Sequence, residues 1–390
     1  MARILVVVPD FYPAISGYAN ASVNALYAYC SLGHEVHLLS YKAAQLPDGL
    51  DCCLHTLDID DSAKLDHKIT SLLPGKWDGV IFETFESSDI HLRLVRLIDV
   101  NIENVTVRIH GCTETEVFTS GELAYPRDMF AAARELSGKL RQVWSTTSYY
   151  IDYHRAHYFN HDLERARISY HPLPNFPPRD HYAVARHLRK QRGASNSSLV
   201  FLGRLSSQGA HQKNVYNFLG ALYHLKVNRL LPEGFVAYLI GDGNEAERVL
   251  ARIEALGLGG VIAYRPSLEH AATLKLLAEV SGACLLSKYE GHSMFALECF
   301  YTGVPILISD KTGAAEHRNV ASSLLVDPDD VFAIAAQMLK LLDAGHAGSA
   351  GAIESMENTE GTDQVDSYLS SYSFDALRQR ANTLIDLLCT

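Results

Sequence analysis

Short apolar runs recur along the chain, and between them apolar residues return every three or four positions. The first run, Ile4–Val8, precedes the Ala/Leu/Tyr-rich stretch Ala21–Ser31, then Gly33-His34 and a second run, Glu35–Leu39. Gly79–Phe82, Val105–Ile109 and Gln142–Ser145 continue the series. A continuous apolar run suits a strand covered on both faces, and the helical periodicity between runs supplies crossover helices. The pattern predicts an α/β protein with parallel βαβ units in a doubly wound sheet.

Across His171–Ser197 this rhythm breaks. His171–Pro178 is dense in proline and Arg179–Arg192 is basic and polar, a composition that marks a domain boundary. The pattern then restarts with the run Ser198–Leu202, the helical stretch Val215–Lys226 and the run Gly234–Ile240, followed by Val261–Tyr264, Gly282–Ser287 and Pro305–Ser309. Two α/β domains are expected, 1–175 and 198–372, joined by a linker over 176–197. The Gly/Ser/Glu-rich stretch Ala344–Thr362 reads as a loop. A last helix lies within 373–390, for which packing back on the N-terminal domain is one placement.

Composition narrows the function classes. The chain has 390 residues, 47% hydrophobic and 20% charged, as expected of a globular protein. Its formal charge of −11 argues against nucleic acid as a partner, since phosphate neutralisation needs basic surface. Seven cysteines, with no CxxC pair, fit a reducing compartment better than a disulfide framework. The opening run shows no cleavable signal pattern and no segment is long and apolar enough to cross a bilayer, so a cytoplasmic protein is expected. The cluster Arg179, Arg186, Arg189, Lys190 and Arg192 reads as a solvated linker helix, with peripheral contact at the inner face of an anionic membrane as the alternative.

The most informative stretch is Leu285–Pro305. A buried strand ends at Ser287, a loop carries Glu290 and Gly291, a helix begins near His292-Ser293, and Thr302-Gly303 closes it. Glu290 is thus placed at the C-terminal end of a parallel strand, where ligands of open α/β sheets bind, with Glu298 about two turns into the helix. The helix N-terminus offers unpaired backbone N–H groups to an anion. A carboxylate beside an anion site is costly unless it holds something else, such as sugar hydroxyls.

Glu290 and Glu298, seven residues apart in between, resemble the E-x7-E motif of the family 4 retaining glycosyltransferases of the GT-B fold. That fold has two Rossmann-like domains facing across a cleft. The resemblance implies that Glu290 contacts the transferred sugar and Glu298 the ribose of a nucleotide-diphosphate sugar. Phe201–Leu205 resembles the family's first C-domain strand and loop, which makes Arg204 and Lys213 the expected grip on the diphosphate. The stretch Ser206–Gln212 is longer than the usual link, and leaves Lys226 as the alternative lysine. Leu239–Asn244 resembles the strand and glycine-rich turn that follow, with Gly241 at the donor, and Ala263–Pro266 places Arg265 against the base or, equally, in a surface ion pair. Lys311–Glu316 resembles a loop that closes over the donor. In the N-terminal half only Gly17 remains of the family's Gly-Gly loop, and His110, at the end of Arg108–Gly111, takes the place of a histidine near the reaction centre; a structural histidine is the alternative. Gly291, His292, Ser293 and Met294 complete the expected donor contacts.

The resemblance implies a retaining sugar transfer without a metal or other cofactor, from a UDP donor in preference to GDP. The acceptor is expected to be a glycan, a lipid-linked glycan or a small molecule, with cell-surface polysaccharide synthesis as the implied setting. A nucleotide-sugar epimerase of the same fold, with Glu114 and Glu116 as additional acids, and a non-catalytic partner subunit are the alternatives. The DxD triplet in Asp58–Asp61 reads as solvated surface, and the helically spaced His154, His157 and His161 as a polar helix face, rather than as metal ligands. No GxGxxG follows the first strand, and neither GxSxG nor a P-loop is present.

Overall fold

A computed structural model describes residues 1–13, 17–111, 127–157, 168–173, 188–189, 197–291, 293–317, 323–346 and 373–389. The chain divides into two compact units. Described residues up to 173 and those over 373–389 form the first, and described residues 188–346 form the second.

The first unit is built on a seven-stranded parallel sheet. Its strands are β1 (Arg3–Val7), β2 (Glu35–Ser40), β3 (Cys53–Thr56), β5 (Gly79–Phe82), β7 (Val105–Ile109), β8 (Gln142–Ser145) and β9 (Ser169–Pro172), in the order β3-β2-β1-β5-β7-β8-β9. A short separate ladder pairs β4 (Lys76–Trp77) with β6 (Asp99–Val100). Strands β1, β5, β7 and β8 are apolar and buried along most or all of their length, because helices cover both faces. Those helices are α1 (Gly17–Cys30), α2 (Leu65–Leu72), α3 (Ser88–Leu97), α4 (Arg127–Ser137) and α5 (Ser148–His157).

In the second unit, β10 (Ser198–Leu202), β11 (Val236–Ile240), β12 (Ile262–Arg265), β13 (Gly282–Leu285), β14 (Ile306–Ser309) and β15 (Ser323–Val326) pair in parallel in the order β12-β11-β10-β13-β14-β15. Counting from each unit's first strand, both sheets begin on the order 3-2-1-4-5-6. The direction of winding reverses beside the first strand, between β1 and β5 in one sheet and between β10 and β13 in the other. Loops leave a crevice there at the carboxyl ends of the strands. The helices of this unit are α6 (Ser207–Lys213), α7 (Val215–Val227), α8 (Ala246–Ala255), α9 (His270–Glu279), α10 (Met294–Thr302) and α11 (Val331–His346).

The structure adds to several local expectations. Ser206–Gln212 is helical: Ser206 accepts a hydrogen bond from the Gly209 amide (3.0 Å) and caps the helix α6. His154 turns its polar groups inward. It is buried, with Nε2 3.0 Å from the Ser137 hydroxyl and Nδ1 3.0 Å from that of Tyr170, and His161 lies outside the described residues. Arg189 is equally unavailable to a membrane surface, because its buried guanidinium donates to the carbonyls of Leu277 and Val280 at the end of α9. The other four basic residues of that cluster lie outside the described residues. Asp58 does face solvent, paired with Lys68 at 3.0 Å. No helix among the described residues is long and apolar enough to cross a membrane.

The last helix, α12 (Phe374–Leu388), belongs to the first unit. Ser373 caps it, Arg378 donates to the Ser31 carbonyl beyond the end of α1, and Leu388 closes over the start of β5. Gly79 is required for that closure, since a Cβ there would lie 2.4 Å from the Leu388 side chain. Leu388 is fully buried. Leu388→Ala should therefore destabilise the first unit by about 2–5 kcal/mol, read as a lowered urea midpoint, whereas an unchanged midpoint would show that α12 contributes no packing there.

Candidate functional site

The carboxyl ends of β10 and β13 bring Glu290, Lys213 and Arg204 together. Glu290 lies in the loop after β13, and Lys213 is the last residue of α6, which follows β10. Their side chains meet at 2.6 Å, each only 15% exposed. Ser287 donates to the other carboxylate oxygen of Glu290 at 2.6 Å. Burial pushes the Glu290 carboxyl up, but the Lys213 ammonium and the hydroxyls of Ser287 and Ser293 outweigh it and hold the carboxyl below the usual range. Arg204 is exposed and donates to the Gln212 side-chain oxygen at 3.2 Å, while the Gln212 amide donates to the Tyr289 carbonyl at 3.1 Å. Backbone geometry permits the arrangement: a Cβ on Gly203 would lie 2.7 Å from Lys213 Cγ, so only glycine lets that side chain pass. Lys226, the alternative lysine, sits in the last turn of α7 and donates to the Gly257 carbonyl instead.

Below Glu290 the chain enters α10. Ser293 caps it, accepting from the Ala296 amide at 3.4 Å, and Gly303 ends it in the left-handed region at φ 75°. Met294 is the first helical residue, so Glu298 lies about one turn from the N-terminus rather than two. Gly291 and Ser293 are buried beside Glu290, and His292 lies outside the described residues. Glu298 is 13% exposed and accepts from His270 Nε2 at 3.2 Å; His270 opens α9. Glu290 also anchors the segment after β14, since its carbonyl accepts from the Gly313 amide at 2.8 Å. In that segment Lys311 bonds Asp327 and Asp329, and Glu316 is exposed on a 3-10 turn.

Gly241 performs a packing task at the end of β11, for a Cβ there would lie 1.9 Å from the Gly203 carbonyl oxygen. Arg265 ends β12 with an exposed side chain and has no ion pair among the described residues. These two stand on neighbouring strands, while Gly17 belongs to the first unit, where it opens α1. Among the described residues, no group of three or more His, Cys, Asp or Glu side chains could hold a metal ion.

The first unit carries a buried polar cluster at its own winding reversal. Glu83 follows β5 and is fully buried. One of its oxygens accepts from Arg108 Nη1 at 2.9 Å and lies 2.8 Å from His110 Nε2, and the other accepts from the Tyr29 hydroxyl at 3.4 Å. Burial raises the Glu83 carboxyl, yet Arg108 and His110 together hold it below the usual range. Burial and the Arg108 charge push His110 down to about 4 against the opposing pull of Glu83, so its ring is neutral at pH 7. The sequence reading selected His110 and overlooked Glu83. The available signal was a carboxylate directly after a wholly apolar strand.

Residues 196–344 match the family described as "Glycosyl transferases group 1". The matched segment is less than half of the chain. Over 143 residues the chain is 30% identical to an MMP alpha-(1->4)-mannosyltransferase of Mycolicibacterium hassiacum, a match spanning 36% of this chain and 34% of the relative. A sucrose-phosphate synthase from Thermosynechococcus elongatus superposes with a TM-score of 0.75 at 15% identity, covering 98% of both chains. Anabaena HepE, solved in complex with UDP-glucose, gives 0.72 at 13% identity, covering 99% of this chain and 100% of that one. At such identities these likenesses establish the fold, which is GT-B, with two Rossmann-like units. The second unit's charged candidates, Arg204, Lys213, Arg265, Glu290 and Glu298, all fall within the matched segment.

The Glu298–His270 pair has a measurable signature. The hydrogen bond that His270 donates to Glu298 raises the His270 pKa, with partial burial opposing. A raised folded pKa contributes stability that is fully present below the unfolded value of about 6.5 and is lost as pH rises through the folded value. NMR titration should place the His270 midpoint above that of a free histidine, and Glu298→Gln should return it towards the free value. An unshifted midpoint in the unaltered protein would mean the pair does not form in solution.

Proposed function

We propose that this chain is a retaining glycosyltransferase that moves a sugar from a nucleotide-diphosphate donor to an acceptor hydroxyl. The observation that carries the reading is the pairing of Lys213 with Glu290 at the winding reversal of the second sheet, with Arg204 linked to the same loop through Gln212 and Glu298 on the helix that follows. Cations, free backbone amides and a carboxylate then converge on one ligand carrying both phosphate and hydroxyl groups. The family match of residues 196–344 and the likeness to HepE, solved with UDP-glucose, support a nucleotide-sugar donor. A uridine base is proposed over guanosine, with Arg265 stacking on it and Glu298 holding the ribose hydroxyls.

Glu290 engages hydroxyls of the transferred sugar, and Arg204, Lys213 and the α10 N-terminus, with Gly291, Ser293 and Met294, face the diphosphate. As the bond from the anomeric carbon to the diphosphate oxygen breaks, negative charge grows on the leaving phosphate. Arg204 and Lys213 stabilise that charge without a metal ion. The acceptor oxygen bonds to the same face of the anomeric carbon, and its proton passes to the leaving phosphate. Acceptors in this reading are glycans, lipid-linked glycans or small hydroxylated molecules, as in cell-surface polysaccharide assembly.

Calorimetric titration with uridine, guanosine and adenosine diphosphates, followed by turnover assays on the corresponding sugar nucleotides, tests the proposal. Glu298→Ala should weaken binding of the preferred diphosphate by about 10- to 100-fold, the range for losing hydrogen bonds to a charged group. Arg204→Ala should slow transfer by about 100- to 1,000-fold, as loss of one stabilising charge at a developing anion does. Wild-type affinity and turnover in both variants would reject the assignment.

A further inference from the structure

The Glu83 cluster constrains the chemistry of His110 more tightly than its position alone does. His110 Nε2 lies 2.8 Å from the same Glu83 oxygen that accepts from Arg108 Nη1 at 2.9 Å. An ionised carboxylate can only accept, so the proton between the two groups belongs to Nε2. In a neutral imidazole the other nitrogen must then be bare. Nδ1 has no hydrogen-bond partner among the described residues, although the side chain is only 6% exposed. The surrounding groups favour this state from every side. Arg108 on β7 keeps Glu83 ionised and discourages a second positive charge, and its guanidinium is itself fixed to the Leu173 carbonyl beyond β9. From α1, Tyr29 and Ser22 point their hydroxyls at Glu83, at 3.4 and 3.5 Å, and Tyr18 meets the His110 ring edge-on at a centroid distance of 5.3 Å. Glu86 acts on Tyr18 from the loop after β5.

We propose that Glu83 is a positioning residue that fixes His110 as its Nε2–H tautomer and thereby presents Nδ1 as a bare acceptor to a hydroxyl of a ligand at the first unit. That this ligand is a sugar rests on the glycosyltransferase reading; the tautomer does not. The consequence is specific. His110 receives a hydrogen bond from its ligand and cannot donate one, so it selects an O–H over a carbonyl or phosphate oxygen. Being a weak base in this setting, it orients the hydroxyl rather than removing its proton.

Nitrogen-15 labelling of histidine in the full chain, with long-range proton–nitrogen NMR, reads the tautomer directly, and the His110→Gln spectrum identifies the signal. The expected ring has a protonated Nε2 and a bare Nδ1, and stays neutral between pH about 5 and about 8. A protonated Nδ1, or a ring that charges near the ordinary histidine midpoint, overturns the proposal. Glu83→Leu combined with Arg108→Met removes both buried charges without stranding either. That variant should populate both tautomers and lower kcat by about 10- to 100-fold, the usual effect of losing an orienting partner, with diphosphate affinity unchanged. Unaltered tautomer and turnover in that variant would also overturn the proposal. Should it fail to fold, the wild-type tautomer, compared with that of Glu83→Gln, still decides. If the tautomer is as expected but no sugar nucleotide is turned over, the lock stands, and the sugar partner falls together with the transferase reading.

Discussion

The pairing of Lys213 with Glu290 is the contact on which the second unit's site depends. Both side chains are largely out of water, where an unpaired charge would be expensive, and their 2.6 Å contact offsets the desolvation of each. Its consequences spread through the backbone. Lys213 can cross to Glu290 only because Gly203 has no side chain, and Gly203 can sit there only because Gly241 admits its carbonyl. The Lys288 amide donates to the Gln212 carbonyl at 2.8 Å, which ties the end of α6 to the loop after β13. Two charges, two glycines and one backbone hydrogen bond thus fix the relative positions of three strand ends, those of β10, β11 and β13.

Both units solve the same electrostatic problem at the same topological place, with different outcomes. Each sheet reverses winding beside its first strand, and each puts a buried carboxylate beyond the fourth strand in the 3-2-1-4 order: Glu83 after β5 and Glu290 after β13. Glu83 is enclosed by Arg108, His110, Tyr29 and Ser22, a network whose members mostly face one another. Glu290 is held by one flexible lysine and short hydroxyls. A closed network rigidifies, whereas an ammonium with three donors on a four-carbon stem can serve a second acceptor. The first arrangement suits holding a ring still, and the second suits a charged ligand that arrives and leaves.

The sheets were legible because their strands are continuous apolar runs. Gly79–Phe82, Val105–Ile109, Gln142–Ser145 and Ser198–Leu202 coincide with the observed strands. The caps of α10 were legible for a similar local reason, since a Ser before an apolar helix and a Gly after it have few other uses. The parts that failed depend on distant partners. Within Ser206–Gln212 the capping Ser206 was the available helix signal, whereas Gly209, where a Cβ would lie 2.7 Å from the Arg204 carbonyl, has its use only in the fold. His154 looks like one member of a polar row, and only the fold brings Ser137 and Tyr170 to its two nitrogens. Arg189 belongs to a basic cluster by sequence and to the end of α9 by structure. Glu83 escaped notice because its four partners come from two distant segments, α1 and the end of β7.

A chain carrying a net charge of −11 that binds an anion must concentrate positive charge locally, and the distribution of partners shows how. Lys288 and Lys311, at the ends of β13 and β14, are bound to Asp327 and Asp329 and have little charge to spare. Lys213 is matched by Glu290, while Arg204 meets only the neutral Gln212 amide among the described residues. Before a ligand arrives, the site candidates with uncompensated charge among the described residues are thus Arg204, Arg265 and the N-terminus of α10. On the proposed reading, a diphosphate brings more negative charge than these can balance and draws on the remaining donors of Lys213. As the ammonium turns towards phosphate, the Glu290 carboxylate gains free lone pairs at the moment sugar hydroxyls arrive to occupy them. Phosphate binding and sugar recognition would then be one coupled exchange of partners, which explains why a buried ion pair, rather than two separate side chains, stands at the centre of the site.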